Sequence, residues 1–193
     1  KQASKNSGRY HVLGQFEQAT GTQLPEDYCE LLVPCNGGSL GGSLRFTASK
    51  PGGNAINVCI NHIGRFREES YFSPEEARAV YQRYEVRIPT ALIWIMDAPF
   101  GNAICLGTRG EHRRRVYFWD HENEPAPERW DGRVETAGNF VLLASTFVDF
   151  IGELAPTPND APFASLELRT KQICPDSAHP ALMQLPKEEP QAC

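Results

Sequence analysis

Residues 91–119 read ALIWIMDAPFGNAICLGTRGEHRRRVYFW, and this stretch decides the fold. Two short apolar runs, 91–96 and 103–106, flank Asp97-Ala98-Pro99-Phe100-Gly101-Asn102, whose Pro, Gly and Asn mark a hairpin connection. A third run, 115–119, follows the turn-like Gly107-Thr108-Arg109-Gly110. Each run has the length of a strand, and the connections are too short for a crossover helix. Antiparallel pairing follows. Residues 44–47, 56–60 and 140–144 are further strand candidates.

Around these strands lie three segments of helical spacing. Tyr28, Leu31, Leu32 and Cys35 fall at i, i+3, i+4 and i+7, as do Ala77, Val80, Tyr81 and Tyr84, and again Phe147, Phe150, Ile151 and Leu154. Each set makes one apolar stripe that must be laid on a core. Pro25 and Pro74 suit a first helical position, Ser73 with Glu76 has capping-box spacing, and Ser145 or Thr146 can cap the last helix. Asn36-Gly37-Gly38 ends the first of the three. A weaker helix over residues 10–19 would use Leu13 and Phe16. Helices, short strands, an inserted helix, a meander and a closing helix make an α+β order rather than a doubly wound one. The expected fold is therefore one domain, a mainly antiparallel sheet with helices packed on one side.

Residues 155–193 differ in character, with seven prolines, no glycine and only scattered apolar positions. Leu166 and Leu168 could form a short edge strand; the rest reads as an irregular Pro-rich tail, extended or partly disordered. The chain divides into a domain over 10–154 and an extension over 155–193.

Four segments, in order, resemble the SUKH superfamily, whose best-known branch is the Smi/Knr-type cell-wall assembly regulators. They are Leu24-Pro25-Glu26-Asp27-Tyr28 running on to Asn36-Gly37-Gly38, Gly101-Asn102-Ala103-Ile104-Cys105-Leu106-Gly107, Val116-Tyr117-Phe118-Trp119-Asp120-His121-Glu122, and Ala144-Ser145-Thr146-Phe147-Val148-Asp149-Phe150-Ile151. The resemblance spans about residues 16–154. It implies an α+β fold with a twisted, mainly antiparallel sheet. It also implies a non-enzymatic role: bacterial members look like immunity proteins that neutralise a cognate toxin domain, often a nuclease or deaminase, and fungal members like regulatory scaffolds. The short first-helix region, the Arg113-Arg114-Arg115 run and the tail depart from the family pattern. Tyr28, Trp119, Phe147 and Phe150 suit anchors of a helix-on-sheet core. The residues that carry the resemblance thus identify a scaffold without marking a site.

Charge narrows the function classes. The 193 residues carry 19 Lys plus Arg against 24 Asp plus Glu, a formal net charge of −5. A dedicated nucleic-acid binder would show a basic face, so no direct nucleic-acid partner is expected. No apolar run approaches the roughly 18 residues that span a bilayer, so no membrane partner is expected either. Residues 1–154 hold 19 acids and 16 bases, and the acids concentrate in one segment. Asp120, Glu122, Glu124, Glu128, Asp131 and Glu135 face only Arg129 and Arg133, with Trp130 among them. An aromatic anchor in an acidic surround suits a protein interface, so these six acids and Trp130 are the candidate partner-binding residues. Folding of Trp130 back on the core is the competing reading. Arg113 to Arg115 read as a solvated basic hairpin tip.

Other chemistry is less well signalled. Asp120-His121-Glu122 could hold a metal or move protons, but strand geometry puts His121 opposite the two carboxylates, and the segment reads as a polar strand end. No G-x-S-x-G elbow surrounds a serine. Gly37-Gly38-Ser39-Leu40-Gly41-Gly42 lacks the Lys-Ser/Thr of a phosphate loop and reads as a flexible loop. The cysteines, at 29, 35, 59, 105, 174 and 193, show no C-x-x-C spacing. Free buried thiols in a reducing compartment, and a polar start over residues 1–10 without an apolar signal core, point to the cytoplasm. Neither metal nor cofactor is expected. The reading is an immunity protein partnered with a cognate toxin domain; a regulatory scaffold whose tail recruits partners is the alternative, and a metal-dependent enzyme at Asp120, His121 and Glu122 the third.

Overall fold

The computed structural model describes residues 2–35, 38–49, 55–64 and 87–156. Helix α1 (Gln2–Thr20) and helix α2 (Glu26–Cys35) come first. Strands β1 (Gly38–Ser49), β2 (Ala55–Ile63), β3 (Leu92–Asp97), β4 (Ala103–Gly107) and β5 (Val116–Trp119) follow. The short helix α3 (Val134–Ala137), strand β6 (Phe140–Ala144), helix α4 (Phe147–Gly152) and the two-residue strand β7 (Ala155–Pro156) complete the order. The strands make one sheet in the order β6-β5-β4-β3-β2-β1-β7, and every pairing is antiparallel. The α+β class and the meander of residues 91–119 are as the sequence indicates.

Period-two alternation divides the sheet into two faces. Ile93, Ile95, Ile104, Leu106, Val116 and Phe118 face the helices, where they meet Leu13, Phe16, Tyr28, Leu31 and Leu32 of α1 and α2 and Phe147, Phe150 and Ile151 of α4. The edge-on Tyr28–Phe147 pair, with ring centroids 4.9 Å apart, ties α2 to α4, and Phe46–Phe150 at 5.1 Å ties β1 to α4. Leu92, Ala103, Cys105, Tyr117 and Trp119 point the other way, into a second cluster that Ile88 and Val134 of α3 close. Because both faces are covered, β4 and β5 are buried throughout. An irregularity in the β3–β4 register between Trp94 and Met96 lets Met96 join Ile95 on the helical side. Trp119 is therefore a core anchor of the face away from α1, α2 and α4, not of the helix-on-sheet core.

Local signals account for most boundaries. Pro25 stands just before α2 rather than at its first position, and its carbonyl accepts the Cys29 amide at 3.1 Å. Glu26 and Asp27 place negative charge at the positive end of the helix. Thr146 caps α4, its hydroxyl accepting from the Asp149 amide at 3.1 Å. Helix α1 is longer than the 10–19 expected.

Two further expectations change. The glycine-rich stretch read as a flexible loop is the first half of β1 from Gly38 on, where Gly38 and Ser39 pair with Ile63 and His62 before a register shift. Asp120-His121-Glu122 is not a strand end: β5 stops at Trp119, and His121–Asn123 form a 3-10 turn. Just past residue 154, Ala155 and Pro156 pair with Arg45 and Leu44. The expected helix around Ala77–Tyr84, the Asn36-Gly37 stop, the Leu166/Leu168 strand and the remainder of the tail lie outside the described residues. Among the described residues, no helix is long and apolar enough to cross a membrane.

Candidate functional site

The acidic segment is the connection between β5 and β6. Its neck is closed by the Asp120 amide donating to the Asn139 carbonyl at 2.9 Å and by Asn139 Nδ2 donating to the Asp120 carbonyl at 3.0 Å. Asn139 is buried, so these bonds lie away from competing water. Beyond the neck, Asn123 Nδ2 donates to Asp120 Oδ2 at 2.9 Å, which holds the first turn. Trp130, half-buried, donates from Nε1 to the Arg133 carbonyl at 3.2 Å. The indole thus braces its own turn.

The seven candidate residues differ in what they already hold. Glu124 lies 2.8 Å from Arg87 Nη2, and Arg87 Nε donates to its other oxygen at 3.1 Å; the same guanidinium stacks 4.9 Å over the buried Trp119 ring. Glu135 meets His112 Nε2 at 3.0 Å and Arg133 Nε at 3.6 Å. Asp131 accepts from the Thr136 hydroxyl and, at 3.1 Å, from the Arg133 amide. Glu122 and Glu128 are exposed, and no ion pair joins either to another described residue. Four of the six acids, Asp120, Glu124, Asp131 and Glu135, thus hold partners within the molecule.

The Thr136 hydroxyl and then the Arg133 amide hold the Asp131 carboxyl below the usual aspartate range. A depressed folded value means the contribution is present above the ordinary aspartate range and is lost as pH falls through the folded value. The Asp131 carboxyl followed by carbon-detected NMR titration is expected to show a midpoint below that of a free aspartate. Thr136→Val should return it toward the ordinary value; an unchanged midpoint would show that the hydroxyl bond does not hold in solution.

Arg113 and Arg114 of the β4–β5 turn are exposed, as a hairpin tip would be, and the turn also reaches back to the body of the domain. Arg109 Nη2 donates to the Gly21 carbonyl at 2.8 Å, and Arg113 Nη1 donates to the carbonyls of Gln23 at 3.0 Å and Thr108 at 3.3 Å. Arg114 lies 3.6 Å from Asp27 of α2. The turn clasps the α1–α2 loop and the start of α2. Arg113→Ala is expected to cost about 1 kcal/mol, the usual net worth of such bonds, read as a lower midpoint in urea denaturation at unchanged slope.

His121 also serves the fold. Its amide donates to Asn102 Oδ1 at 3.1 Å, its Nδ1 lies 3.0 Å from the same oxygen, and its ring covers Gly101. Asp120, His121 and Glu122 do not converge on a common point. The described His, Cys, Asp and Glu atoms that do converge belong to Glu111, His112 and Glu135. There Nε2 of His112 faces Glu135 and Nδ1 lies 2.9 Å from the Tyr117 hydroxyl, so both ring nitrogens have protein partners. Sequence reasoning missed this group because Glu135 lies on a different element, with no spacing signal to join it to the turn.

No nucleophile stands out among the described thiols. Cys29 is pushed up to about 12, first by burial and then by the nearby Glu17, Asp27 and Glu26. Burial raises Cys105 further still. Cys29, Cys59 and Cys105 are free.

A seven-stranded antiparallel sheet with α1, α2 and α4 on one face and α3 on the other, and an acidic β5–β6 connection beside its edge strand, define an α+β domain. The chain belongs to the SMI1 / KNR4 family (SUKH-1), whose model matches residues 12–153. No curated protein and no solved structure gives a significant match.

Proposed function

We propose that this protein is a non-enzymatic immunity protein that binds and neutralises a cognate bacterial toxin domain in the cytoplasm, possessing neither cofactor nor metal. Family membership supports the class. The observation that carries the reading is the order of the acidic excursion: its neck, its Trp130 brace and its Arg87–Glu124 tie hold Glu122 and Glu128 outward before any partner arrives. A preordered surface loses little conformational entropy on binding, and its negative field speeds encounter with a basic partner such as a nuclease. Asp120, Glu124, Asp131, Glu135 and Trp130 frame that surface.

Co-expression with the toxin domain encoded beside the gene tests it. Cells should survive with this protein and die without it, and the association rate should fall about tenfold between low and high salt. Toxicity undiminished by co-expression would refute the reading. A regulatory scaffold is separated by deleting residues 157–193: a scaffold that recruits through its tail loses partners, whereas neutralisation from the domain surface persists.

A further inference from the structure

The β3–β4 connection carries a side chain that folding does not explain. Phe100 is 84% exposed, and its backbone sits at φ 64, ψ 28. That left-handed conformation strains a bulky residue, whereas glycine or asparagine would take it readily. The turn that imposes it is firmly made. Ala98 donates its amide to the Asn102 carbonyl at 2.9 Å, Asn102 donates to the Pro99 carbonyl at 3.4 Å, and Asn102 Oδ1 accepts the His121 amide. His121 packs so closely on Gly101 that an added Cβ would lie 3.1 Å from its ring. The β3–β4 turn and the start of the acidic excursion therefore form one knuckle with Phe100 at its tip.

Strain retained without a packing return is a mark of function. The acids of the two turns indicate the partner: exposed Asp97 enters the first, and Asp120 and exposed Glu122 lie on the second. We infer that Phe100 is the anchor of the partner-binding surface, seated in an apolar pocket of a basic toxin domain whose cationic rim meets Asp97, Asp120 and Glu122. The inference rests on the immunity reading and moves the centre of the surface from Trp130 to Phe100. Rigid aromatic anchors ringed by charge are what dominate such interfaces.

The test uses the toxin domain encoded beside the gene, made catalytically inactive, and measures its binding by biolayer interferometry. Phe100→Ala and Phe100→Gly should weaken it about 30-fold, mainly through faster dissociation, while Phe100→Tyr stays within about threefold. Asp97→Asn with Glu122→Gln should slow association and flatten its salt dependence. Phe100→Gly, with its strain relieved, should melt about 2 °C higher without any partner present. Wild-type binding that Phe100→Ala leaves within twofold would overturn the anchor and spare the immunity reading. Absence of wild-type binding would overturn both. A lower melting temperature for Phe100→Gly would show that the ring is kept for folding, and would also overturn the anchor.

Discussion

Alanine in place of Gly107 should be among the most damaging single substitutions in the domain, lowering stability by about 3 kcal/mol. A Cβ on this residue would lie 1.7 Å from the His112 carbonyl oxygen and 2.5 Å from its carbon, so backbone must move. Backbone there is not free to move. The Gly107 amide donates to the Arg115 carbonyl and its carbonyl accepts the Arg114 amide, both at 2.8 Å. The displaced turn carries His112, held by Glu135 and Tyr117, and Arg113, held by Gln23. The melting temperature should fall by about 6–12 °C at this chain length. Gly110→Ala is the informative comparison. Gly110 has open space around it but a φ of 55, so it meets only the left-handed cost of about 1–2 kcal/mol. A Gly107→Ala protein that melts within 2 °C of the parent would show that the turn is not packed on β4 as described.

Trp119→Ala should cost about 3–5 kcal/mol, the range for truncating a fully buried aromatic. Trp119 is 0% exposed and is the largest side chain in the second cluster, under Val134 of α3. Its loss also removes the ring on which Arg87 rests, and with it the support of the Arg87–Glu124 pair. Urea denaturation should show a lower midpoint at unchanged slope, and Trp119→Phe should recover part of the loss. The variant should also loosen the acidic excursion, seen as faster amide exchange at Asp120 and Asn139, whose mutual bonds close its neck. A midpoint that barely moves would show that the face away from the long helices is not a core.

These two residues illustrate how much the sequence makes legible. Trp119 could be recognised as an anchor because a short, wholly apolar run must be buried. The face on which it anchors could not, because both faces of β5 are apolar. Gly107 reads as a turn residue from its neighbours, yet its role is to admit the His112 carbonyl, a contact set by how the turn folds back. The glycines from Gly38 to Gly42 carry no strand propensity, but pairing with β2 draws them into β1. Arg113 and Arg114 look solvated in sequence; their partners Gln23 and Asp27 lie some ninety residues away.

For the candidate site, the acidic run and Trp130 were visible as composition. What each acid does was not, since Glu124 is tied to Arg87 and Glu135 to His112 across elements. Phe100 left only a faint signal, an aromatic in a Pro-x-Gly-Asn turn where a polar residue would serve folding as well.

The sequence by itself determined the α+β class, the antiparallel meander, the apolar stripes of α2 and α4, and the family, because these depend on periodicity and local turn chemistry. The tertiary structure alone decided which acids are spent on internal pairs and which face outward, that the basic turn is a clasp, and that a strained phenylalanine stands beside the acidic surface. Those are matters of which distant groups meet, and chain spacing carries no record of them.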